Sequence, residues 1–191
     1  LNLHAASLEN YASLFKVVEK INPDEVYHLA SQSFVANSFE DEFSTFNINI
    51  DGTHYILSAV KELNKKTKFY FAGSSEMFGK VKETPQNENS PFYPRSTYGI
   101  SKVAGYHLTR NYREAYNLYT SSGILFNHES PRRGINFVTN KVVRTAVEIK
   151  KGIKKKLILG NIDSYRDWGH AKDYVEAIYK IMQYKNPDNW I

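Results

Sequence analysis

Apolar positions along this chain follow two alternating periods. From Ser7 to about Lys20, Leu8, Tyr11, Leu14, Phe15 and Val18 return every three or four residues, which is the spacing of one helical face with Ser7 as N-cap. Asn22-Pro23-Asp24 ends this helix, because proline has no N–H with which to continue it. The run Glu25–Ala30 then reads as a short buried strand. A second helix is predicted from about Asp41 to Leu63 and a strand over Lys68–Ala72. Pro85, Pro91 and Pro94 make residues 80–95 a loop. A helix over Tyr98–Asn117 and a strand over Tyr119–Phe126 follow. The chain continues with a helix over Asn136–Lys151, a short strand at Leu157–Leu159 and a last helix from about His170 to Tyr184. Strands alternating with helices predict an α/β fold whose parallel sheet is covered on both faces. There is no internal repeat and no low-complexity segment.

Composition narrows the function classes. The 191 residues amount to about one domain, and 41% hydrophobic with 24% charged residues is ordinary for a globular chain. No run of 18 apolar residues occurs, so neither a membrane span nor a signal peptide is expected in these residues. The absence of cysteine excludes disulfides, thiolate metal sites and a cysteine nucleophile, and is compatible with a cytoplasmic location. A net charge of +5 favours small anionic ligands at least as much as nucleic acid. Lys150, Lys151, Lys154, Lys155 and Lys156 form a basic run, but solvated lysines at a helix C-terminus explain it. No aromatic residues interleave with them, so no nucleic-acid partner is expected. The chain begins at Leu1 without methionine and is expected to start inside a domain.

Ligands of parallel α/β sheets bind beyond the carboxyl ends of the strands. Three segments occupy such places: Ala30–Ser33, Gly73–Glu76 and Asn127–Gly134. Tyr98 and Lys102 stand four residues apart and therefore share a helical face, where an ammonium favours the phenolate of its neighbour. Taken alone this spacing is a common chance match and reads first as a surface lysine beside a half-buried tyrosine, one of 14 in the chain. Ser74, Ser75 and Glu76 supply two hydroxyls and a carboxylate, able to hold a substrate oxygen and to take a proton from carbon beside a carbonyl. An ordinary strand-to-loop turn has the same residues. Arg132-Arg133 suits a phosphate or pyrophosphate, or a surface salt bridge. His128 and Glu129 make a poor zinc pair, since neighbours rarely share a metal, and no metal is expected. Arg166 can reach an anion, and Asp167 can cap the last helix.

Several stretches together carry a resemblance. They are Ser74-Ser75-Glu76-Met77-Phe78-Gly79-Lys80, Pro91-Phe92-Tyr93-Pro94-Arg95-Ser96, Tyr98-Gly99-x-x-Lys102 and Asn111–Asn117. The stretches Gly123–Gly134, Asn136-Phe137-Val138-Thr139 and Arg166–Val175 carry it too. The chain resembles the extended short-chain dehydrogenase/reductase superfamily and, within it, the GDP-mannose 4,6-dehydratase family, over nearly its whole length. That resemblance implies a lyase with NADP as cofactor. The sugar C4 hydroxyl is oxidised, water is lost across C5 and C6, and C6 is reduced with the same hydride. Tyr98 would take the C4-hydroxyl proton, Lys102 would lower its pKa and hold the nicotinamide ribose, and Ser74 would bond the C4 oxygen. Glu76 would remove the C5 proton, which separates a dehydratase from a plain reductase or epimerase. Cofactor contacts implied are Leu29, Ala30, Ser31, Gln32, Ser33, Lys102, His128 and Arg133. GDP-mannose contacts are Ser75, Asn127, Val138, Lys141 and Arg166.

The chain departs from the family pattern at several positions. Ser74 replaces a threonine, Ala30 a glycine, Ser44 a tyrosine, and Ser7 the aspartate of an Asp-Leu pair. The family's first strand and glycine-rich pyrophosphate turn are expected before Leu1, and its last substrate-binding segment beyond Ile191. The expected architecture is thus a Rossmann-like doubly wound parallel sheet without its first strand in these residues. Residues 1–128 are the NADP-binding domain. Residues 129–191 are part of a smaller C-terminal substrate region that returns to the first domain. A homodimer or homotetramer is expected through the helices from Asp41 and Tyr98. The alternatives are a dehydratase of another GDP-sugar such as a GDP-heptose, a nucleotide-sugar 4-reductase or epimerase, and a non-catalytic nucleotide-sugar-binding domain.

Overall fold

A computed structural model describes residues 1–191. They divide into two compact units, one of Leu1–Leu125 with Ile178–Ile191 and one of Phe126–Ala177. The first unit is built on a four-stranded sheet of β1 (Glu25–His28), β2 (Lys68–Ser74), β3 (Thr120–Leu125) and β6 (Asn189–Trp190). Its order is β1-β2-β3-β6 and every pairing is parallel. The register sets Phe71 of β2 opposite His28 on one side and Ser122 on the other.

Helices cover both faces of the central strand β2. On one face α4 (Thr97–Tyr116) rides over the Phe71 ring at Gly105, where a Cβ would lie 2.4 Å from the ring. On the other, Tyr70 and Ala72 pack with Ile178 and Met182 of α6 (Ala171–Gln183). Lys68 Nζ donates to the Met182 carbonyl at 2.6 Å, and the one Tyr119 hydroxyl proton is shared between the Tyr184 carbonyl at 2.7 Å and that of Ile181 at 3.0 Å. Carbonyls left open at the end of α6 are thereby satisfied. The fold is α/β with a parallel sheet covered on both faces, as the alternating periods predict, and the sheet is Rossmann-like, as the resemblance implies. No helix is long and apolar enough to cross a membrane.

Four local expectations change. Helix α1 (Tyr11–Ile21) is capped by Asn10, whose Oδ1 accepts from Ser13 N–H at 2.9 Å, and not by Ser7. Ser7 instead closes the preceding turn, with its carbonyl accepting from Asn10 N–H, so the cap moves one turn along. The predicted helix Asp41–Leu63 is interrupted. It consists of α2 (Glu42–Phe46), a π-turn (Asn47–Asp51) and α3 (Gly52–Leu63). At the break the Asn49 side chain is drawn into bonds outside its own helix. Gly52 admits Leu8 so closely that a Cβ would meet Leu8 Cβ at 2.8 Å.

The strand Tyr119–Phe126 ends at Leu125, and the next residues begin the second unit. That unit holds a separate two-stranded parallel sheet of β4 (Asn127–Glu129) and β5 (Trp168–His170), with α5 (Val138–Lys150) between them in sequence. Leu157–Leu159 forms no strand. Ile158 is 67% exposed and no neighbouring strand offers the run a ladder, whereas Trp168–His170 has β4.

Candidate active site

The carboxyl end of β2 closes on itself. Ser74, its last residue, is extended, and its Oγ accepts from Glu76 N–H at 3.2 Å, starting a single 3-10 turn over Ser75–Met77. Met77 is fully buried and its Sδ accepts from Ser74 N–H at 3.4 Å. A buried anchor and a capping hydroxyl thus fix the turn, and leave Ser74, Ser75 and Glu76 half-buried at the strand end.

The first turn of α4 packs against that turn. Ser96 caps the helix by accepting from Gly99 N–H at 3.0 Å, and Ser38 Oγ accepts from Tyr98 N–H at 3.3 Å. A Cβ at Gly99 would lie 2.8 Å from the Glu76 carbonyl oxygen, so only glycine allows this approach. Tyr98 and, one turn later, Lys102 are both buried. Lys102 Nζ donates to the Ala72 carbonyl at 3.0 Å and lies 5.2 Å from the centre of the Phe71 ring and 5.7 Å from that of Tyr98. Burial lowers its pKa from the ordinary 10.5 to about 8. The helical spacing of the pair therefore becomes a desolvated ammonium beside a phenol, reached by a carboxylate-bearing turn.

The segment after β1 forms a third part of the same unit. Leu29 is exposed, Ala30 and Ser33 are exposed, and Ser31 and Gln32 are half-buried. Asn49, buried in the π-turn, holds this segment. Its Oδ1 accepts from Gln32 N–H at 2.8 Å, and its Nδ2 donates to the Gln32 carbonyl at 3.1 Å and to Ser101 Oγ at 2.9 Å. Ser101 Oγ in turn donates to the Tyr98 carbonyl at 2.7 Å. Asn49 thereby ties the β1 loop to the helix segment between Tyr98 and Lys102. Nothing in the spacing singles out Asn49; it alternates with Ile48 and Ile50 between Asn47 and Asp51, three residues before a glycine, and only that interruption of the helical period marks the segment. His28 is neutral, its pKa lowered to about 4 by burial and then by the Lys102 charge. Thr53 Oγ1 donates to the Asn49 carbonyl, so His28 Nε2–H donates to Thr53 at 3.1 Å.

The second unit gathers the remaining candidates. Asn127 and His128 lie on β4; His128 Nδ1–H donates to the Phe126 carbonyl at 2.9 Å and its ring lies 4.9 Å from that of Tyr174. Arg133 Nε is 3.3 Å from Glu129 Oε2, and its guanidinium sits 3.6 Å above the centre of the Phe137 ring, while Arg132 is exposed. Of the paired arginines, then, one is held and one is free in solvent. Val138 opens α5 and Lys141 follows one turn later, both exposed. Arg166 is exposed, two residues before Trp168, which pairs with Asn127. His170 Nδ1 accepts from Lys172 N–H at 3.2 Å, taking the helix-start role expected of Asp167. No group of three or more His, Cys, Asp or Glu side chains is placed to hold a metal ion.

A family model described as GDP-mannose 4,6 dehydratase matches residues 1–191. The chain belongs to that family. The GDP-mannose 4,6-dehydratase of Vibrio cholerae is 47% identical over 191 residues, covering 99% of this chain and 51% of that protein. GDP-mannose 4,6 dehydratase 1 of Arabidopsis thaliana is 50% identical over 195 residues, 100% of this chain and 54% of that one. The chain spans about half the length of the curated relatives it matches. The structure of RMD from Pseudomonas aeruginosa complexed with NADPH superposes with a TM-score of 0.90 at 28% identity, over 97% of this chain and 65% of that one. In this member of the GDP-mannose 4,6-dehydratase family, one compact unit holds the Ser74–Glu76 turn, the Tyr98–Lys102 pair and the Leu29–Ser33 segment together.

Proposed function

We propose that this chain carries the proton-handling part of a lyase that converts GDP-mannose to GDP-4-keto-6-deoxy-mannose with NADP. One observation carries the reading: Gly99 lets the Glu76 turn rest on the first turn of the helix bearing Tyr98 and Lys102. A plain reductase needs only the phenol and the ammonium; a second base, at the strand end packed against their helix, suits elimination. The residues fit the cofactor. Lys102 makes one hydrogen bond, to Ala72, and two of its three N–H donors are left for ribose hydroxyls.

The chemistry NADP supplies when bound is the reversible uptake of one hydride. Tyr98, as phenolate favoured by Lys102, takes the C4-hydroxyl proton while Ser74 Oγ holds the C4 oxygen. The C4 ketone acidifies C5–H, and Glu76 takes that proton and passes it to the departing C6 hydroxyl, which leaves as water. Tyr98 returns its proton to C5, so water is the sole loss. Leu29, Ala30, Ser31, Gln32, Ser33, His128 and Arg133 hold the cofactor. Ser75, Asn127, Val138, Lys141 and Arg166 hold the nucleotide sugar, the last two supplying positive charge to its diphosphate. Residues 1–128 form the NADP-binding domain, and residues 129–191 are part of the substrate region with a return to the first domain, supported by Asn189–Trp190 pairing with β3 of its sheet. The enzyme is a cytoplasmic homodimer or homotetramer; Phe39, Phe43 and Ile100, exposed near α2 and on α4, support an interface there.

The test is turnover by the full-length protein given GDP-mannose and NADP, followed by mass spectrometry for a product lighter by one water. Glu76→Gln should lower the rate roughly 10²–10⁴-fold and abolish deuterium entry at C5. Near-normal turnover in Glu76→Gln overturns the reading.

A further inference from the structure

Glu129 belongs to neither expected ligand set, yet several features of the second unit converge on it. Its Oε2 accepts from Thr139 Oγ1 at 2.7 Å and lies 3.3 Å from Arg133 Nε. The Arg133 guanidinium carbon sits 3.6 Å from the centre of the Phe137 ring, and Asn140 Nδ2 donates to the Arg133 carbonyl at 2.5 Å. Both ends of this arginine are thus held, while neither Nη forms a bond within the chain. Helix α5 has no acidic residue in its first turn, and its N-cap, Phe137, supplies no side-chain acceptor. Through Thr139, the Glu129 carboxylate brings the only acidic group to that helix start, where negative charge is favourable.

Resting on the reading above, in which Arg133 holds NADP, we propose that Glu129 is a positioning residue. It clamps the guanidinium onto Phe137, presents its Nη edge to an anionic group of the cofactor, and anchors the α5 turn that carries Val138 and Lys141. A guanidinium already held against a ring and a carboxylate loses less freedom on binding than one free in solvent, so the effect falls on cofactor affinity rather than on the chemical step. Salt bridges at exposed sites contribute little, but this carboxylate is only 15% exposed.

The experiment is a double-mutant cycle in the full-length protein, with NADPH binding followed by fluorescence titration and turnover measured at saturating cofactor. Glu129→Gln keeps an acceptor for Thr139 and removes the charge. It should raise the NADPH Kd about tenfold, with kcat at saturation within about twofold of normal. Arg133→Ala should weaken NADPH binding at least as much, and the double variant should be no weaker than Arg133→Ala alone, since Glu129 acts through Arg133. Additive losses, or an unchanged Kd in Glu129→Gln when Arg133→Ala is impaired, overturn the positioning role and leave the assignment of Arg133 intact. An unchanged Kd in Arg133→Ala overturns that assignment and the positioning role with it. Should Glu129→Gln fail to give folded protein by circular dichroism, Phe137→Leu removes the ring beneath the guanidinium and is expected to give the same non-additive loss.

Discussion

Replacing Lys102 by methionine should make the folded chain more stable while removing its activity. Lys102 is 4% exposed, and its ammonium has a single hydrogen bond, to Ala72. The fall of its pKa from 10.5 to about 8 on folding corresponds to roughly 3 kcal/mol by which the fold disfavours the charged form. Losing the Ala72 bond returns about 1 kcal/mol, so Lys102→Met should gain on the order of 2 kcal/mol at pH 7. For a chain of this size that is a rise in Tm of about 4–8 °C. Because the folded pKa lies below the unfolded one, the unfolded chain holds more protons between about pH 8 and 10.5. The wild-type chain therefore gains stability as pH rises through that window, and the gap to Lys102→Met should shrink from pH 8, close at about pH 10 and reverse slightly above it, where only the Ala72 bond separates the two. Urea unfolding of both proteins, without nucleotide, over this range measures the gap. Turnover of the full-length variant should fall about 10²–10⁴-fold as the phenol loses its cation. A variant less stable than wild type at pH 7, or a gap that ignores pH, would show that the fold does not disfavour the Lys102 ammonium.

Gly99→Ala places a methyl group 2.8 Å from the Glu76 carbonyl and 3.1 Å from Pro94 Cβ, forcing the turn and the helix apart. Dehydration should slow about 10²-fold while C4 oxidation, seen as NADPH formed in a single turnover, slows less; equal losses in both steps would show that the contact does not set the Glu76 position. Tyr70→Phe should raise stability by about 1 kcal/mol in urea unfolding, because the Tyr70 hydroxyl is buried without a hydrogen-bond partner, and a loss of stability would contradict that.

Much of the architecture is visible in local patterns because the features concerned are local. The apolar runs around Lys68–Ser74 and Thr120–Leu125 pair as parallel strands, and the amphipathic period of Thr97–Tyr116 becomes α4. Where two good capping residues compete, as Ser7 and Asn10 do, composition does not choose between them; the turn geometry does. The run Leu157–Leu159 has strand character but no partner, while Trp168-Gly169-His170 has little strand character and pairs with β4 because a ladder is offered there. Strand identity at a short segment is a property of its neighbour.

The site divides in the same way. By spacing alone the sequence determines that Tyr98 and Lys102 share a helical face and that Ser74–Glu76 follows a strand, and it excludes cysteine chemistry outright. Tertiary structure decides that Lys102 is desolvated against Phe71, that Glu76 meets the phenol-bearing turn at Gly99, and that Asn49 reaches Ser101 across 52 residues of sequence. These contacts join segments with no common period. They depend on close approach and on the loss of water around a charge, and both exist only once the sheet has brought the strand ends and helix starts together.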